Sequence, residues 1–385
     1  MSGFDLGGVD RTVLRGLVGK SALLTTDLDQ AELSTVLTLA QLFADIDFAG
    51  VKLPLFEQEL AYAVFFDNST RTKSAWAGAA ARLGMRPVIV DGSSTQVAHG
   101  ETAAETGAML GMNSHAMGVR HDLILGEGNT FMREVKRGID DYLRDSGDPR
   151  RMPLVNLQCD IDHPTQTLAD AAWLREYFPD GVEGKRIAVS WAYSPSYAKP
   201  LSVPQGLAML LPRLGAHVRM AYPPGYRLLD SAMDAAASGA RESGGSFEVF
   251  EGEGAMDAAF EDAHVVYPKS WGPHSLMLDR VEANRAGDQA RMNEIEQACL
   301  EQNANHKDWI CDERRMALTR DALYMHCLPA DIGDEVSEGV MAQHRVNVAR
   351  EANKKVYVIM ALLACAKSND LVDDLGQILN RQETK

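Results

Sequence analysis

The run Asp67-Asn68-Ser69-Thr70-Arg71-Thr72-Lys73 sets three hydroxyls, a guanidinium and an ammonium side by side. An apolar stretch, residues 61–66, precedes it and is predicted as a buried strand. Residues 74–83 follow and are rich in helix formers. The polar run therefore falls on a strand-to-helix turn. A helix N-terminus presents unpaired backbone N–H groups and roughly half a positive charge, which suits an anion. Ser69, Thr70 and Thr72 with Arg71 would complete a small phosphate cradle. An Asn or Ser N-cap on an ordinary helix is the alternative. A cap needs one hydroxyl, however, and leaves Arg71 between two threonines unexplained.

Further chemistry is spread along the chain. The polar loop Asp91-Gly92-Ser93-Ser94-Thr95-Gln96-Val97-Ala98-His99-Gly100 carries Gln96 and His99, and is either a flexible surface loop or a binding loop. Residues 116–120 read as a strand ending in Arg120, where an arginine points into the crevice of an open α/β sheet or is simply solvated. Gly126-Glu127-Gly128-Asn129-Thr130-Phe131 is Gly-rich, but the pattern lacks a strand–helix context for a nucleotide loop; it could line a second-substrate pocket. His163-Pro164-Thr165-Gln166 follows an apolar strand at 153–158. Pro164 suits a first helical turn, and Gln166 would lie on the same side as His163. Lys269 and Trp271 follow another apolar strand, and a lysine there is unlike core. Cys327, in His326-Cys327-Leu328-Pro329, ends a strand predicted over 322–329 and is by itself a small apolar core residue. Lys355 sits near the start of a helix predicted over 347–366.

The elements that would position these groups alternate. Short apolar strands and helices imply two doubly wound parallel-sheet α/β domains, with a site between them at the carboxyl ends of the strands. Residues 1–177 form the first domain, onto which a C-terminal helical segment, 347–385, packs back; residues 178–346 form the second. A helix over 26–49 is expected, capped by Thr26 or Asp27. The polar stretch 275–320 is a solvated excursion or a lid. With 385 residues, 45% hydrophobic and 24% charged, the chain is globular. A net charge of −16 argues against nucleic-acid or anionic-membrane partners. Met1 to Asp5 lacks the features of a signal peptide, and no apolar run approaches the ~20 residues of a membrane span. The five cysteines form no C-x-x-C pair, so no disulfide framework or zinc site is indicated, and His306 and Cys311 lack further ligands. A cytoplasmic enzyme is expected.

Taken together and in order, Ser69-Thr70-Arg71-Thr72-Lys73, Arg120, His163-Pro164-Thr165-Gln166 and His326-Cys327-Leu328-Pro329 resemble the motifs of the carbamoyltransferases, the aspartate/ornithine transcarbamylase superfamily. The resemblance spans nearly the whole chain. It implies a carbamoyl-phosphate domain followed by a second-substrate domain. It puts Ser69, Thr70, Arg71 and Thr72 on the phosphate and Arg120 on the phosphate and carbonyl oxygens. His163 would donate to the carbonyl oxygen and Gln166 would bond the carbamoyl NH₂, with Pro164 and Thr165 completing the motif. The Cys327 and Leu328 carbonyls would also face that NH₂, and Cys327 can touch the incoming amine. Gln96 would reach carbamoyl phosphate across a subunit boundary; His99 is a further candidate in that loop. The arginine that the family carries at the start of its last helix falls on Lys355, which lacks the bidentate fork. The ornithine signature Asp-x-x-x-Ser-Met-Gly is absent, and Lys269 and Trp271 resemble a pair in the knotted acetylornithine branch, as second-substrate residues. The proline-rich stretch Tyr193 to Gln205 is similar to the loop through which that branch threads a trefoil knot in the second domain. Val155 to His163 and the Ala192-Tyr193-Ser194-Pro195-Ser196-Tyr197 loop are shared with the YgeW-type group of the branch.

The resemblance implies transfer of a carbamoyl group from carbamoyl phosphate to the amine of a small metabolite, or the reverse phosphorolysis. No metal or organic cofactor is needed. Arg71, Thr72, Arg120 and His163 would supply donors where negative charge develops. A homotrimer with shared sites, or a dimer of trimers, is implied. Two other readings stand beside it. A non-catalytic phosphometabolite-binding protein would keep the cradle without turnover. A nucleotide-dependent dehydrogenase requires Gly-x-Gly-x-x-Gly after a strand with an acidic residue beyond, and that context is missing.

Overall fold

The structure, a computed structural model, describes Phe4 and residues 6–383. The N-terminal signal-peptide reading, Phe4 apart, and the last two residues of the expected 347–385 segment lie outside the described residues.

The first half runs α1 (Arg11–Leu17), α2 (Gln30–Phe48), β1 (Leu60–Phe65), α3 (Arg71–Arg82), β2 (Arg86–Asp91), α4 (Ala103–Asn113), β3 (Ala116–His121), α5 (Glu127–Ser146), β4 (Leu154–Cys159) and α6 (Pro164–Tyr177). Its strands make a parallel sheet of order β2-β1-β3-β4. The second half runs β5 (Arg186–Trp191), α7 (Ser202–Leu210), β6 (His217–Tyr222), α8 (Asp230–Ser243), β7 (Ser246–Glu251), α9 (Ala255–Phe260), β8 (Val265–Lys269), α10 (His274–Arg285), α11 (Gln289–Asn303), α12 (Glu313–Met316) and β9 (Leu323–Tyr324). These strands are parallel in the order β7-β6-β5-β8-β9. Two long-range helices close the chain, α13 (Glu338–Lys367) and α14 (Leu371–Glu383).

Two parallel-sheet α/β domains were expected, and two are present. The physical reason is legible in β4 and β8, where every residue is buried, as strands covered on both faces must be. In β1, Ala61, Ala63 and Phe65 face a core shared with α2, α3, α6 and α13, while Val64 faces the core under α5. In each sheet the strand order reverses beside the first strand, between β1 and β3 and between β5 and β8. Such switch points open a crevice beyond the carboxyl ends of the strands.

Several boundaries differ from expectation for identifiable reasons. α2 starts at Gln30, because Asp29 and Glu32 form a reciprocal capping box: the Asp29 carboxylate accepts from the Glu32 N–H, and the Glu32 carboxylate accepts from the Asp29 N–H. Asp27 instead accepts from the Leu23 and Leu24 N–H groups in a preceding 3₁₀ turn. The Gly-rich run does lie in a strand–helix connection, since Gly126 is the N-cap of α5 after β3. The Asp160 carboxylate already accepts from the Gly126 and Asn129 N–H groups there, so that helix end is filled by the protein's own anion, and the run does not line the cleft. The strand expected over 322–329 is regular only at Leu323–Tyr324; beyond it the His326 N–H turns to the Glu351 carboxylate instead of the sheet.

Two helices, α13 and α7, help tie the halves together. α13 has 30 residues, about 45 Å of helix. Val340 and Val348 belong to the core of the second sheet, and Tyr357 through Cys365 to the core of the first. It begins at Glu338, earlier than expected, where the Ser337 Oγ accepts from the Val340 N–H. α7, from the second half, presses on the loop that follows β4. The Gln205 amide donates to the Ile161 carbonyl, and the Leu229 N–H donates to the Gln205 Oε1. At Gly206 a Cβ would stand 2.3 Å from Asp162 Oδ1 and 2.6 Å from Thr167 Cγ2. Glycine is therefore required by this close approach. Gly206→Ala should destabilise the protein by about 1–3 kcal/mol through overpacking, read as a lowered midpoint in urea unfolding.

Candidate functional site

A cleft of about 770 Å³ opens where the carboxyl ends of both sheets meet. Its size suits a pair of small ligands. The β1–α3 turn supplies Ser69, Thr70, Arg71, Thr72 and Lys73, and β3 supplies Arg120 with Asp122 and Leu123 beyond it. β4 and the start of α6 supply Gln158, His163 and Gln166. From the second half come Tyr197, Lys199, Pro200 and Val203 after β5, Lys269 at the end of β8, and Cys327, Leu328 and Pro329 after β9. Lys355 enters from α13.

Arg71 begins α3 rather than preceding it, with Thr70 as N-cap residue. The Ser69 Oγ accepts from the Thr72 N–H at 3.2 Å, which folds the hydroxyls around the helix end. Arg71 Nη2 donates to the Leu328 carbonyl at 2.6 Å. Leu328 has φ +53°, a left-handed conformation uncommon for a bulky residue, and the peptide bond to Pro329 is cis. That backbone turn aims the carbonyl at Arg71. Arg120 grips Asp122 with two bonds, Nε to Oδ1 at 3.1 Å and Nη2 to Oδ2 at 3.0 Å. Burial pushes the Asp122 carboxyl well above its usual range, Arg120 opposes that, and the neighbouring Asp67 adds to it.

Lys355 stands between the first two motifs. Its Nζ lies 3.2 Å from Thr72 Oγ1 and 3.3 Å from His163 Nε2. Burial, then repulsion from Arg71 and Arg120, brings the Lys355 ammonium down to about 7. Burial likewise holds the His163 imidazole well below its ordinary value, with Lys355, Arg120 and Arg71 adding to the effect. A neutral imidazole donates through one nitrogen only. When Thr165 Oγ1, 3.3 Å away, donates to Nδ1, the ring proton sits on Nε2, toward the cleft. Gln166 Nε2 donates to Asp170 Oδ1 at 2.6 Å, which leaves its Oε1 as the acceptor face of the amide.

The opposite wall carries two lysines in unlike surroundings. Lys199 Nζ bridges Asp331 Oδ2 and Glu335 Oε2, each at 2.8 Å. Burial disfavours its charge, but Glu335 and Asp331 outweigh that and raise its pKa. Lys269 Nζ instead donates to the Ser270 carbonyl at 2.8 Å. Burial, then Lys199, lowers Lys269 to about 8. Lys269 is thus the cation more open to a new anionic partner.

Of the residues singled out from the sequence, Ser69, Thr70, Arg71, Thr72, Arg120, His163, Gln166, Lys269, Cys327, Leu328 and Lys355 line this one cleft. Four do not. Trp271 was expected beside a second substrate. It is fully buried instead, its Nε1 donating to the Tyr226 carbonyl and its own carbonyl accepting from Trp191 Nε1, because the chain turns into the second core after β8. Pro164 and Thr165 are buried behind His163. Gln96 is exposed in a 3₁₀ turn, Gln96–His99, outside this cleft, although Asp91 and Ser93 earlier in that loop line it. The sequence reading missed Asp122, Gln158, Tyr197 and Lys199. Asp122 was findable two residues after Arg120, as a chelating partner; Lys199 had no local signal. Among the described residues no cluster of three or more His, Cys, Asp or Glu could hold a metal ion.

Residues 20–176 match the family model "Aspartate/ornithine carbamoyltransferase, carbamoyl-P binding domain", and residues 201–366 match "Aspartate/ornithine carbamoyltransferase, Asp/Orn binding domain". The chain is 46% identical over 358 residues to "Putative carbamoyltransferase YgeW" of Escherichia coli (strain K12), covering 90% of each. It is 30% identical over 366 residues to the N-acetylornithine carbamoyltransferase of Xanthomonas campestris pv. campestris, covering 90% of this chain and 97% of that protein. Among solved structures it is similar to an acetylornithine transcarbamylase complexed with acetylcitrulline, with a TM-score of 0.73 at 26% identity over 90% of this chain and 98% of that one. A mutant N-acetyl-L-ornithine transcarbamylase complexed with carbamyl phosphate and N-succinyl-L-norvaline also gives 0.73, over 90% and 99%.

The Lys355 environment has a measurable consequence. A bound dianion favours the ammonium, so the Lys355 pKa rises on binding and the complex takes up a proton. Affinity is then greatest below about 7 and falls as pH rises through and above that value. Sulfate, a dianion throughout this range, should bind more weakly by up to about tenfold per pH unit above pH 7 in calorimetry. Lys355→Arg, charged at all these pH values, should flatten that slope.

Proposed function

The chain belongs to the aspartate/ornithine carbamoyltransferase family, and from that premise we propose that it moves the carbamoyl group of carbamoyl phosphate to the amine of a small metabolite other than ornithine, or runs the reverse phosphorolysis. The single observation that carries the residue assignment is convergence. Arg71, Arg120, His163 and Lys355, from four segments, line one cleft, with Lys269 on its far wall.

The chemistry follows from those groups. Phosphate is already a good leaving group, so the protein has to orient the two substrates and receive charge. The α3 N-terminus with Ser69, Thr70, Arg71 and Thr72 takes the phosphate, and Lys355 does the work of the family's arginine there. Arg120 and His163 meet the carbonyl oxygen as it gains charge. The amide Oε1 of Gln166, with the Cys327 and Leu328 carbonyls, accepts from the carbamoyl NH₂. Arg71 leaves Leu328 and Arg120 loosens from Asp122 as the dianion enters. The Gln166 orientation and the proximity of Lys355 to both Thr72 and His163 support this division of roles. Lys269 receives an anionic group on the acceptor, and its hydrogen bond to the Ser270 carbonyl rather than to a carboxylate, among the described residues, supports that assignment.

A homotrimer, singly or as a dimer of trimers, belongs to the same proposal, with Gln96 of one chain serving its neighbour's cleft; the exposure of that loop supports it. So do a division into 1–177 with 347–385 and 178–346, favoured by the separate cores of the two sheets. The trefoil knot is proposed at the proline-rich stretch Tyr193 to Gln205, where Ser194 and Lys199 are pinned to Asp331 in the later segment that follows β9. A cytoplasmic location fits five buried free thiols.

Arg71→Ala should weaken carbamoyl-phosphate binding by about 10²-fold or more, with an unchanged unfolding midpoint; calorimetry with unaltered affinity would refute the assignment. Lys269→Ala should leave carbamoyl-phosphate affinity intact while raising the KM of the amine substrate at least about tenfold, measured by phosphate release across candidate amines. A loss confined to carbamoyl phosphate would place Lys269 on the wrong substrate.

A further inference from the structure

Behind Gln166 lies a pair of carboxyls that the transfer chemistry does not touch. Asp170, one turn further along α6, accepts from Gln166 Nε2 at 2.6 Å and from the Tyr267 hydroxyl at 3.3 Å. Glu351, on α13, faces Asp170 within side-chain hydrogen-bonding reach. Its Oε2 accepts from the His326 N–H at 3.1 Å. Its Oε1 is buried and has no donor. Asp170 and Glu351 are both wholly buried, and Gln166 and Tyr267 are nearly so.

The geometry points to a shared proton: Glu351 is held as the carboxylic acid and donates to an ionised Asp170, which in turn fixes the Gln166 amide with its oxygen toward the cleft. Two ionised carboxylates in hydrogen-bond contact repel and cannot both stay charged in a buried site. A proton between them removes the repulsion and gives the orphaned Glu351 oxygen a bond. It also decides the amide. Gln166 could otherwise turn either end inward, because its oxygen and nitrogen have the same shape. With an obligatory acceptor behind it, the NH₂ faces inward and the carbonyl faces out, as an acceptor for an NH₂ group. Burial raises both carboxyls, Asp170 to about 7 and Glu351 well above its usual range, which agrees with Glu351 holding the proton. The other titratable groups facing the pair are Tyr267 from β8, Lys355 from α13 and Cys327 after β9. Asp170 and Glu351 are therefore positioning residues, acting through Gln166. This deepens the carbamoyltransferase reading and rests on it for the role of Gln166; the shared proton itself does not.

Infrared spectroscopy at about pH 8, where exposed carboxyls are ionised, tests the proton on the intact protein. The wild type should show the C=O stretch of a protonated carboxylic acid, shifted in D₂O, and Glu351→Gln should lose one such component, while any band of the buried Asp122 carboxyl stays and is identified by its loss in Asp122→Asn. A wild type without the band, or a Glu351→Gln spectrum that loses no component of it, overturns the proposal. Calorimetry tests the positioning with two probes, phosphonoacetamide, which carries a CONH₂ group, and inorganic phosphate, which does not. Glu351→Gln, which can still donate to Asp170 and accept from His326, should bind both as the wild type does. Asp170→Ala should lose about tenfold or more for phosphonoacetamide while phosphate stays unchanged. Equal losses for both probes, or none for phosphonoacetamide, overturn the positioning role. If Asp170→Ala does not fold, Asp170→Asn keeps the volume and should show the same selective loss in smaller degree. A wild type that binds phosphonoacetamide no better than phosphate would defeat the carbamoyl assignment of the cleft instead, while the infrared band would still decide the shared proton.

Discussion

Like charge is crowded into a place with little water. Arg71, Arg120 and Lys355 converge in one cleft, and Lys355 is fully buried at its inner end. Burying a cation without a partner is costly, and the cost grows when other cations stand near. Yet a small dianion is gripped tightly only by donors already stripped of solvent. The protein meets both demands by giving each cation an acceptor of its own. Arg71 has the Leu328 carbonyl, Arg120 has Asp122, and Lys355 has the Thr72 hydroxyl. Each of these is weaker than a phosphate dianion, so each can give way to one. Lys355 goes further and sheds its charge readily, at about 7.

The same constraint explains why the site needs two sheets and a helix that belongs to both. No single β-α unit could bring that many donors to one point. The β1–α3 turn supplies a helix N-terminus, β3 an arginine and the start of α6 a histidine with its glutamine. The return of α13 from the second core to the first carries Glu351 and Lys355 into the seam, one facing Asp170 and the other facing Thr72. Polar groups buried in such a seam must be satisfied across it, so Tyr267 of the second sheet bonds Asp170 of the first half. The two halves are thereby registered through their hydrogen bonds as well as through apolar packing.

On the second-substrate wall, two lysines of the same type have opposite fates. Lys199, within the proline-rich loop, is neutralised by Asp331 and Glu335 and staples that loop to the segment after β9. Lys269 has a carbonyl for a partner and its charge is correspondingly loose. One lysine holds the wall together; the other is left to meet a ligand.

Much of this was written locally. The alternation of short buried strands and helices, the helix start behind Ser69-Thr70-Arg71-Thr72, and the His163-to-Gln166 turn are all short-range patterns, and local patterns survive without knowledge of the fold. Arg120 at a strand end was legible for the same reason. Boundaries shifted where a cap not weighed from the sequence, such as Asp29 or Ser337, won over the apolar period. What no stretch of sequence contained is which distant groups share a bond. Whether Lys355 meets Thr72 and His163, whether Lys199 or Lys269 is neutralised, whether Trp271 turns into the core, and whether Glu351 faces Asp170 are all decided by contacts between residues far apart in the chain. A residue's type and its neighbours state what it can donate or accept; its charge and its partner depend on burial and on who stands opposite, and these exist only once both sheets have closed around the cleft.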